Sequence, residues 1–207
     1  LHSNQTKSDW EKREEELFSL VKNYRSYSKV YECVIPVTGD GDSYSVVEYV
    51  IKKLKLRPLL VSYNNLFMND IGFKNLSNLK IVFDCDLAVY QPSIQEVRDL
   101  IKASLFHIGS IYWHSHAGLT CFPIWKAIEK EIPLIIWGGQ ESVIQTGIFD
   151  YNDKVEMSRW YRSERHLMGC EIDDLEDFEP AIKKNNNSVY RYPNQSDIDK
   201  LQLRGIY

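Results

Sequence analysis

No apolar run in this 207-residue sequence approaches the roughly 20 residues that a helix needs to cross a bilayer. The first residues are polar and charged, so they also lack the apolar centre of a secretory signal peptide. Hydrophobic residues nevertheless make up 43% of the chain and aromatic residues 13%, enough to bury a substantial core. The length and composition therefore predict one α/β domain, with or without an appendage, and no membrane span.

Cysteine is scarce and dispersed. The four cysteines, Cys33, Cys85, Cys121 and Cys170, are far apart, and no two of them form a Cys-x-x-Cys pair. This pattern is typical of a reducing compartment, and it disfavours a zinc site built from cysteines alone. We therefore expect a cytoplasmic location, with Cys33 and Cys121 as small buried hydrophobic residues.

Positive charge is not in excess either. Lys and Arg number 25 against 29 Asp and Glu, which gives a net charge of −4 and a pI near 5.8. A protein with this balance has no general attraction for nucleic acid or for an anionic membrane. No nucleic-acid partner is expected.

The most informative stretch is residues 33–43, with the sequence C-V-I-P-V-T-G-D-G-D-S. An apolar β-branched run stops there at a glycine-containing polar turn, and a helical pattern follows at once. A strand, a glycine-rich turn and a helix in this order hold phosphate groups in α/β proteins, because backbone N–H groups and the helix dipole converge on the anion. The turn is neither a Walker A loop, since no Gly-Lys-Ser/Thr follows, nor a G-x-G-x-x-G loop.

Apolar periodicity predicts alternating strands and helices along most of the chain. The predicted strands are 33–37, 59–63, 80–83 and 132–137, and the predicted helices are 8–24, 44–55, 71–79, 94–107, 113–130 and 196–203, the first with Ser8 and Glu11 in a capping box. Nearly unbroken apolar strands that alternate with helices are typical of a parallel sheet covered by helices on both faces. We divide the chain into an N-terminal helical extension (1–30), an α/β domain (31–150) and a helical or irregular C-terminal segment (151–207).

Polar residues follow each predicted strand. They are residues 38–43, Asn64, Asp84 and residues 138–141. Parallel α/β sheets bind ligands outside the carboxyl ends of their strands, so we expect these residues on one edge of the sheet.

The 38–43 turn resembles the S-G-G-x-D-S loop of the PP-loop ATP pyrophosphatases. Thr38, Gly39, Asp42 and Ser43 fit that pattern, whereas Asp40 stands at a position that is normally glycine. The rest of the chain is similar to the N-acetyl sugar amidotransferases, PP-loop enzymes of surface-polysaccharide (lipopolysaccharide) and nonulosonic-acid biosynthesis. The matching stretches are D-W-E-K-R at 9–13, N-Y-R-S at 23–26, Y-E-C-V-I-P-V at 31–37, R-P-L-L-V at 57–61, G-x-x-N-L-x-N-L at 72–79, W-x-x-H-x-G at 113–118, I-P-L-I-I-W-G at 132–138, Y-P at 192–193 and L-R-G-I at 203–206.

This resemblance implies an adenine nucleotide alpha hydrolase-like fold and a specific reaction. ATP, with Mg²⁺, would adenylylate the acetamido oxygen of an N-acetylated sugar precursor and release pyrophosphate. Ammonia from a separate glutaminase subunit would then displace AMP and leave an acetamidino group. An amide carbonyl is a poor electrophile until its oxygen becomes a leaving group, so the protein would contribute positioning and charge stabilisation. Family members begin with a cysteine-bearing segment and continue past the R-G-I element, so we expect this chain to be a fragment.

The resemblance also assigns roles to individual residues. The cofactor-binding positions would be Thr38, Gly39, Asp40, Gly41, Asp42, Ser43, Asn64 and Gly138, the catalytic ones Asp42 and His116, and the substrate-binding ones Trp113 and Glu141. Asp42 would also help to cap the following helix and could face Mg²⁺. Glu141 is the expected substitute for a family glutamate whose place is taken by Gly139.

Simpler interpretations of these residues stay open. The 38–43 stretch also fits an ordinary turn, Asn64 a strand-ending turn residue, and His116 a helix cap or core residue. A zinc pair of His114 and His116 is disfavoured, since residues two apart on a helix face different ways. A basic cluster of Arg159, Arg162, Arg165 and His166 could meet an acidic ligand or form a solvated helix face.

Asp40 opposes the catalytic function. A carboxylate about 4 Å from a phosphate charge costs roughly 4 kcal/mol at an effective dielectric constant of about 20, which is on the order of a thousandfold in affinity. A bridging Mg²⁺ or an outward rotamer would remove this penalty. The alternative function is therefore a catalytically degenerate PP-loop domain with a binding or assembly role. A tRNA-thiolating PP-loop enzyme is disfavoured, because it needs a catalytic cysteine pair and a basic RNA-binding face.

Overall fold

A computed structural model describes residues 6–25, 30–138, 156–159 and 162–207, except for the side chains of residues 162 and 165. Its strands are β1 Cys33–Pro36, β2 Pro58–Tyr63, β3 Asp86–Tyr90, β4 Leu134–Ile136 and β5 Arg204–Ile206. They form a parallel sheet in the order β3-β2-β1-β4-β5. The predicted α/β class with a parallel sheet is confirmed. Because β1 is central, the turn that follows it is flanked by the ends of β2 and β4.

Helices connect and cover these strands. They are α1 Lys7–Lys22, α2 Gly41–Lys52, α3 Asp70–Phe83, α4 Ile94–Ile108, α5 Trp113–Glu129, α6 Ile172–Phe178 and α7 Gln195–Leu201. The C-terminal part also contains a π-helical turn at Arg162–His166 and 3₁₀ helices at Pro180–Lys184 and Asn187–Tyr190. None of the helices in the described ranges combines the length and the apolarity that a bilayer crossing requires.

The sheet separates two apolar cores, one on each face. Ile35 packs on one face with buried residues of α1, α2 and α3. Val34 packs on the other face with buried residues of α4, α5 and the C-terminal elements. Successive strand residues enter different cores, because their side chains point to opposite faces of the sheet. Helices therefore cover both faces, as the sequence predicts.

The third strand lies later in the chain than its apolar pattern predicts. Residues 80–83 form the last turn of α3 instead, with Leu79 buried and Ile81 and Val82 exposed. Asp84 caps that helix in a left-handed conformation with a φ of 51°. It therefore lies before β3, at the amino end of the sheet, and the prediction that it belongs to the carboxyl edge is wrong.

Two further elements differ from the prediction. α1 begins after Thr6, which forms the capping box with Asp9, so the box predicted for residues 8 and 11 is wrong. β5 is not among the predicted strands; it pairs in parallel with β4, with Ile135 opposite Gly205. At Gly205 a β-carbon would stand 2.7 Å from the Cβ of Met157, so glycine makes room for this neighbour. The C-terminal segment thus contributes a strand to the same sheet as β1.

Candidate functional site

Residues that follow three of the strands lie at the carboxyl edge of the sheet, as the sequence predicts. The 38–43 loop follows β1, Asn64 follows β2, and Gly138 follows β4. Because β2 and β4 are the two neighbours of β1, Asn64 and Gly138 flank the loop. Gly138 lies beside α2, where a β-carbon would stand 3.9 Å from the Cγ2 of Val46.

The loop is closed on itself by the carboxylate of Asp40. Its Oδ1 accepts a hydrogen bond from the backbone N–H of Ser43 at 2.8 Å, and its Oδ2 accepts one from the hydroxyl of Thr38 at 2.9 Å. The Ser43 hydroxyl in turn accepts from the backbone N–H of Thr38 at 3.0 Å. Donors of this kind hold phosphate groups at helix N-termini, and here the chain itself engages them.

Asp40 is therefore the N-cap of α2. The helix begins at Gly41, earlier than predicted, and the capping role predicted for Asp42 is wrong, since Asp42 lies exposed in the first turn. Burial raises the pKa of Asp40, but the hydrogen bonds from Ser43 and Thr38 outweigh this effect and hold the pKa below its usual value. The carboxylate points into the loop and not outward.

Gly39 brings the loop against α3. Its φ of +86° is left-handed, and a β-carbon there would stand 3.0 Å from the backbone nitrogen of Leu76 and 3.1 Å from the carbonyl oxygen of Gly72. Glycine is required both for this dihedral angle and for this close approach. Gly41, by contrast, has open space around it. The first glycine of the loop thus serves packing against α3, independently of any ligand.

Asn64 turns the chain after β2. Its side chain is buried, and its Oδ1 accepts from the backbone N–H of Leu66 at 2.9 Å. Its own backbone N–H donates to the carbonyl oxygen of Tyr90, also at 2.9 Å. These bonds match the turn-residue interpretation, and the predicted nucleotide contact stays a prediction.

The first turn of α5 carries Trp113 and His116. Trp113 is fully buried, and its indole N–H donates to the carbonyl oxygen of Cys170 at 2.7 Å. A direct substrate contact would require this packing to open, so the substrate role of Trp113 stays a prediction. His116 is exposed, and its catalytic role is likewise a prediction. Between them, His114 is fully buried.

A polar cluster, buried except for one half-buried tyrosine, lies beside this edge, and the sequence does not predict it. We call it the Tyr63 cluster; its members are Tyr63, Tyr90, Glu96, His114 and Tyr190. The hydroxyl of Tyr63, the last residue of β2, lies 3.2 Å from Nδ1 of His114 and 3.1 Å from the hydroxyl of Tyr190. Oε1 of Glu96 accepts hydrogen bonds from Tyr190 at 2.6 Å and from Tyr90 at 3.3 Å. The one local feature of the sequence that could have indicated this cluster is that Tyr63 and Tyr90 each end a strand.

Burial sets the protonation states in the Tyr63 cluster. It raises the pKa of Tyr63 and of Tyr190, and raises that of Tyr90 to about 12, so these phenols are protonated at neutral pH. Burial lowers the pKa of His114 to about 4, and the nearby His116 adds to the effect. The imidazole of His114 is therefore neutral.

Glu141 and Gly139 lie outside the described residues, as do the side chains of two arginines of the basic cluster, Arg162 and Arg165. Of the remaining two members, Arg159 pairs with Glu171 at 3.8 Å, and Nδ1 of His166 lies 2.8 Å from the hydroxyl of Thr120. Within the part of the chain that the structure describes, no group of three or more His, Cys, Asp or Glu side chains is arranged to hold a metal ion.

Comparisons with known proteins give distant similarities. No family model matches the chain. An uncharacterized protein of Methanocaldococcus jannaschii is 26% identical over 95 residues, which cover 45% of this chain and 34% of the length of that relative. Among solved structures, the NH3-dependent NAD synthetase from Campylobacter jejuni, in complex with the nitrate ion, has a TM-score of 0.49 and 13% sequence identity, with 93% of this chain and 91% of that chain covered.

Proposed function

We propose that this chain is the phosphate-loop domain of an ATP-dependent amidotransferase subunit, which converts the acetamido group of an N-acetylated sugar precursor to an acetamidino group. A glutaminase subunit would supply the ammonia. The observation that supports this proposal is the position of the 38–43 loop, which follows the central strand β1, begins α2 and is flanked by Asn64 and Gly138. Parallel α/β sheets bind their ligands at this edge.

The loop fits a phosphate in the kind of donors it has, but not in their closed arrangement. The hydroxyls of Thr38 and Ser43 and the N–H groups of the first turn of α2 suit an oxyanion. ATP bound there would adenylylate the amide oxygen and so turn it into a leaving group. In the closed loop, however, Asp40 engages the Thr38 hydroxyl and the Ser43 N–H. Asp42, exposed in the first turn, is the carboxylate that we assign to Mg²⁺.

The Asp40 carboxylate favours a second candidate function, a PP-loop domain that binds a partner or supports assembly without catalysis. It accepts hydrogen bonds from two of the donors that suit a phosphate, the Thr38 hydroxyl and the Ser43 N–H. It would also repel a phosphate about 4 Å away by roughly 4 kcal/mol at an effective dielectric constant of about 20. That repulsion corresponds to about a thousandfold loss of affinity. The two candidates therefore differ in a measurable property, the affinity of the loop for ATP.

ATP binding measured by calorimetry, with and without Mg²⁺, separates the two candidates. The proteins are the wild type, Asp40→Gly and, as a control for the loss of one negative charge, Asp70→Asn in the first turn of α3. Glycine is tolerated at an N-cap at a cost of only a few tenths of a kcal/mol. For a degenerate loop, we expect weak binding by wild type, about a thousandfold tighter binding by Asp40→Gly, and no gain in Asp70→Asn.

Micromolar binding of ATP by the wild type would instead support the catalytic candidate. Pyrophosphate release from ATP, measured with the glutaminase partner and candidate N-acetylated sugars, then tests the reaction itself. Release that depends on both the sugar and an ammonia source is the expected result for the proposed amidotransferase. If neither the wild type nor Asp40→Gly binds ATP, the proposal of a nucleotide-binding loop is wrong.

A further inference from the structure

A chain of hydrogen bonds connects a buried carboxylate to His114 through two tyrosines. It runs from Glu96 to Tyr190 over 2.6 Å, from Tyr190 to Tyr63 over 3.1 Å, and from Tyr63 to Nδ1 of His114 over 3.2 Å. All four side chains are buried, with Glu96 8% exposed and His114 and Tyr190 fully enclosed. These hydrogen bonds connect α4, the 3₁₀ helix Asn187–Tyr190, β2 and α5.

The surroundings of the buried Glu96 side chain suit a carboxylate. Glu96 lies in the first turn of α4, where the helix dipole stabilises a negative charge. Its Oε1 also accepts hydrogen bonds from Tyr190 and Tyr90, and hydrogen bonds to an ionised acceptor are stronger than those between neutral groups. Glu96 can therefore act in this chain as a carboxylate, which accepts and does not donate.

The donor and the acceptor of each hydrogen bond follow from counting protons. Since the carboxylate only accepts, Tyr190 gives its single hydroxyl proton to Glu96. The oxygen of Tyr190 then accepts from Tyr63, and that bond uses the only hydroxyl proton of Tyr63. The remaining bond, between Tyr63 and His114, must take its proton from Nδ1 of the imidazole.

The opposite arrangement leaves one contact without a proton. If Tyr63 donated to His114, its oxygen and that of Tyr190 would face each other at 3.1 Å with lone pairs only. A buried polar group left without its hydrogen bond costs about 1–3 kcal/mol. The arrangement in which every contact holds one proton is therefore favoured.

We propose that Tyr190, acting through Tyr63, fixes His114 as the Nδ1–H tautomer and leaves its Nε2 unprotonated. Nε2 lies 3.5 Å from the hydroxyl of Ser115, which then acts as the donor. Glu96, Tyr190 and Tyr63 are positioning residues for this acceptor nitrogen in the first turn of α5. A use of Nε2 in catalysis would rest on the proposed function, whereas the tautomer does not depend on it.

Nitrogen-15 NMR of the histidine rings tests the assignment without any ligand. Protonated and unprotonated ring nitrogens have distinct chemical shifts, and their couplings to the ring protons distinguish Nδ1 from Nε2. The signals of His114 are identified by their loss in His114→Asn. We expect the Nδ1–H tautomer in the wild type, and finding the Nε2–H tautomer there would overturn the proposal.

Two Tyr→Phe variants give a matched comparison. Tyr190→Phe removes the acceptor of Tyr63, whose proton then turns to Nδ1 of His114, so we expect a switch to the Nε2–H tautomer. Tyr90→Phe also removes a hydroxyl that donates to Glu96, but Tyr90 is not part of the series of hydrogen bonds that leads to His114, so the Nδ1–H tautomer should persist. An unchanged tautomer in folded Tyr190→Phe, or a switch in Tyr90→Phe, would contradict the proposal. The wild-type spectrum decides the tautomer even where a variant does not fold.

Discussion

Gly39 lies so close to α3 that a β-carbon on it would stand 3.0 Å from the backbone nitrogen of Leu76. The contact holds the 38–43 loop against the face of the sheet that α2 and α3 cover. The Tyr63 cluster reaches the same edge from the other face, where α5 packs. The carboxyl edge of the sheet is thus shaped from both sides, by a backbone contact on one and by buried hydrogen bonds on the other.

Gly39→Ala is expected to destabilise the protein strongly. The left-handed φ costs about 1–2 kcal/mol for an L-residue, and the contact with the α3 backbone adds an overpacking cost of about 1–3 kcal/mol. The neighbouring atoms belong to helix backbone, so they cannot turn aside as a flexible side chain would. Urea unfolding of the variant and the wild type measures the loss.

Gly109→Ala separates the two costs. Gly109 caps α4 with a φ of +71°, but a β-carbon there has nothing within 4 Å. We therefore expect only the dihedral cost of about 1–2 kcal/mol at this position. An equal loss of stability in Gly109→Ala and Gly39→Ala would show that the contact with α3 contributes nothing.

A second prediction concerns Gly118, which lets the ring of Tyr63 lie against α5. A β-carbon at Gly118 would overlap that ring, standing 2.6 Å from its Cζ. Alanine favours a helix interior over glycine by about 1 kcal/mol, but the forced movement of a buried ring typically costs about 1–3 kcal/mol. We expect Gly118→Ala to lower the free energy of unfolding despite its higher helix propensity.

Gly41→Ala is the matched control for this substitution. Gly41 is also a helical residue, at the start of α2, and it has open space around it. Alanine there should leave stability unchanged or raise it by up to about 1 kcal/mol. Thermal unfolding of both variants would contradict the steric explanation if Gly118→Ala proved as stable as Gly41→Ala.

The sequence predicts the fold where local pattern and tertiary environment agree. The strand and turn at residues 33–43 combine an apolar run with glycine, so both are recognisable without a structure. The strand prediction for residues 80–83 is wrong because Ile81 and Val82 are β-branched and favour a strand, whereas in the structure they continue α3 on its exposed side. β5 is too short for its pattern to be read, and it becomes a strand only because β4 lies beside it.

The candidate site likewise has one part that the sequence predicts and one part that it does not. The loop and its flanking turns follow from strand ends, and the capping by Asp40 has a local basis, since aspartate is a favoured N-cap residue. The Tyr63 cluster has no such basis: Tyr63 and Tyr190 are 127 positions apart, and the fold alone brings them together. Long-range polar contacts of this kind leave no periodic trace in a sequence.

A third prediction concerns acid stability and rests on His114. Burial lowers its pKa to about 4 in the folded protein, against about 6.5 for an exposed histidine. Between these values the unfolded chain binds more protons than the folded one, so stability rises with pH across this window. The contribution is complete above pH 6.5 and is lost as the pH falls toward 4, by about 3 kcal/mol in all.

His114→Asn removes this titration and keeps an amide that can donate to Tyr63. Carboxylates that titrate in acid act in both proteins, so the measured quantity is the difference in unfolding free energy between wild type and variant. The neighbouring His116, whose own pKa burial also lowers, contributes to the low pKa of His114 and is present in both proteins. We expect the wild type to lose about 3 kcal/mol more than His114→Asn between pH 7 and pH 4. A wild-type curve parallel to that of His114→Asn would mean that His114 is protonated in the folded protein at the same pH as in the unfolded chain.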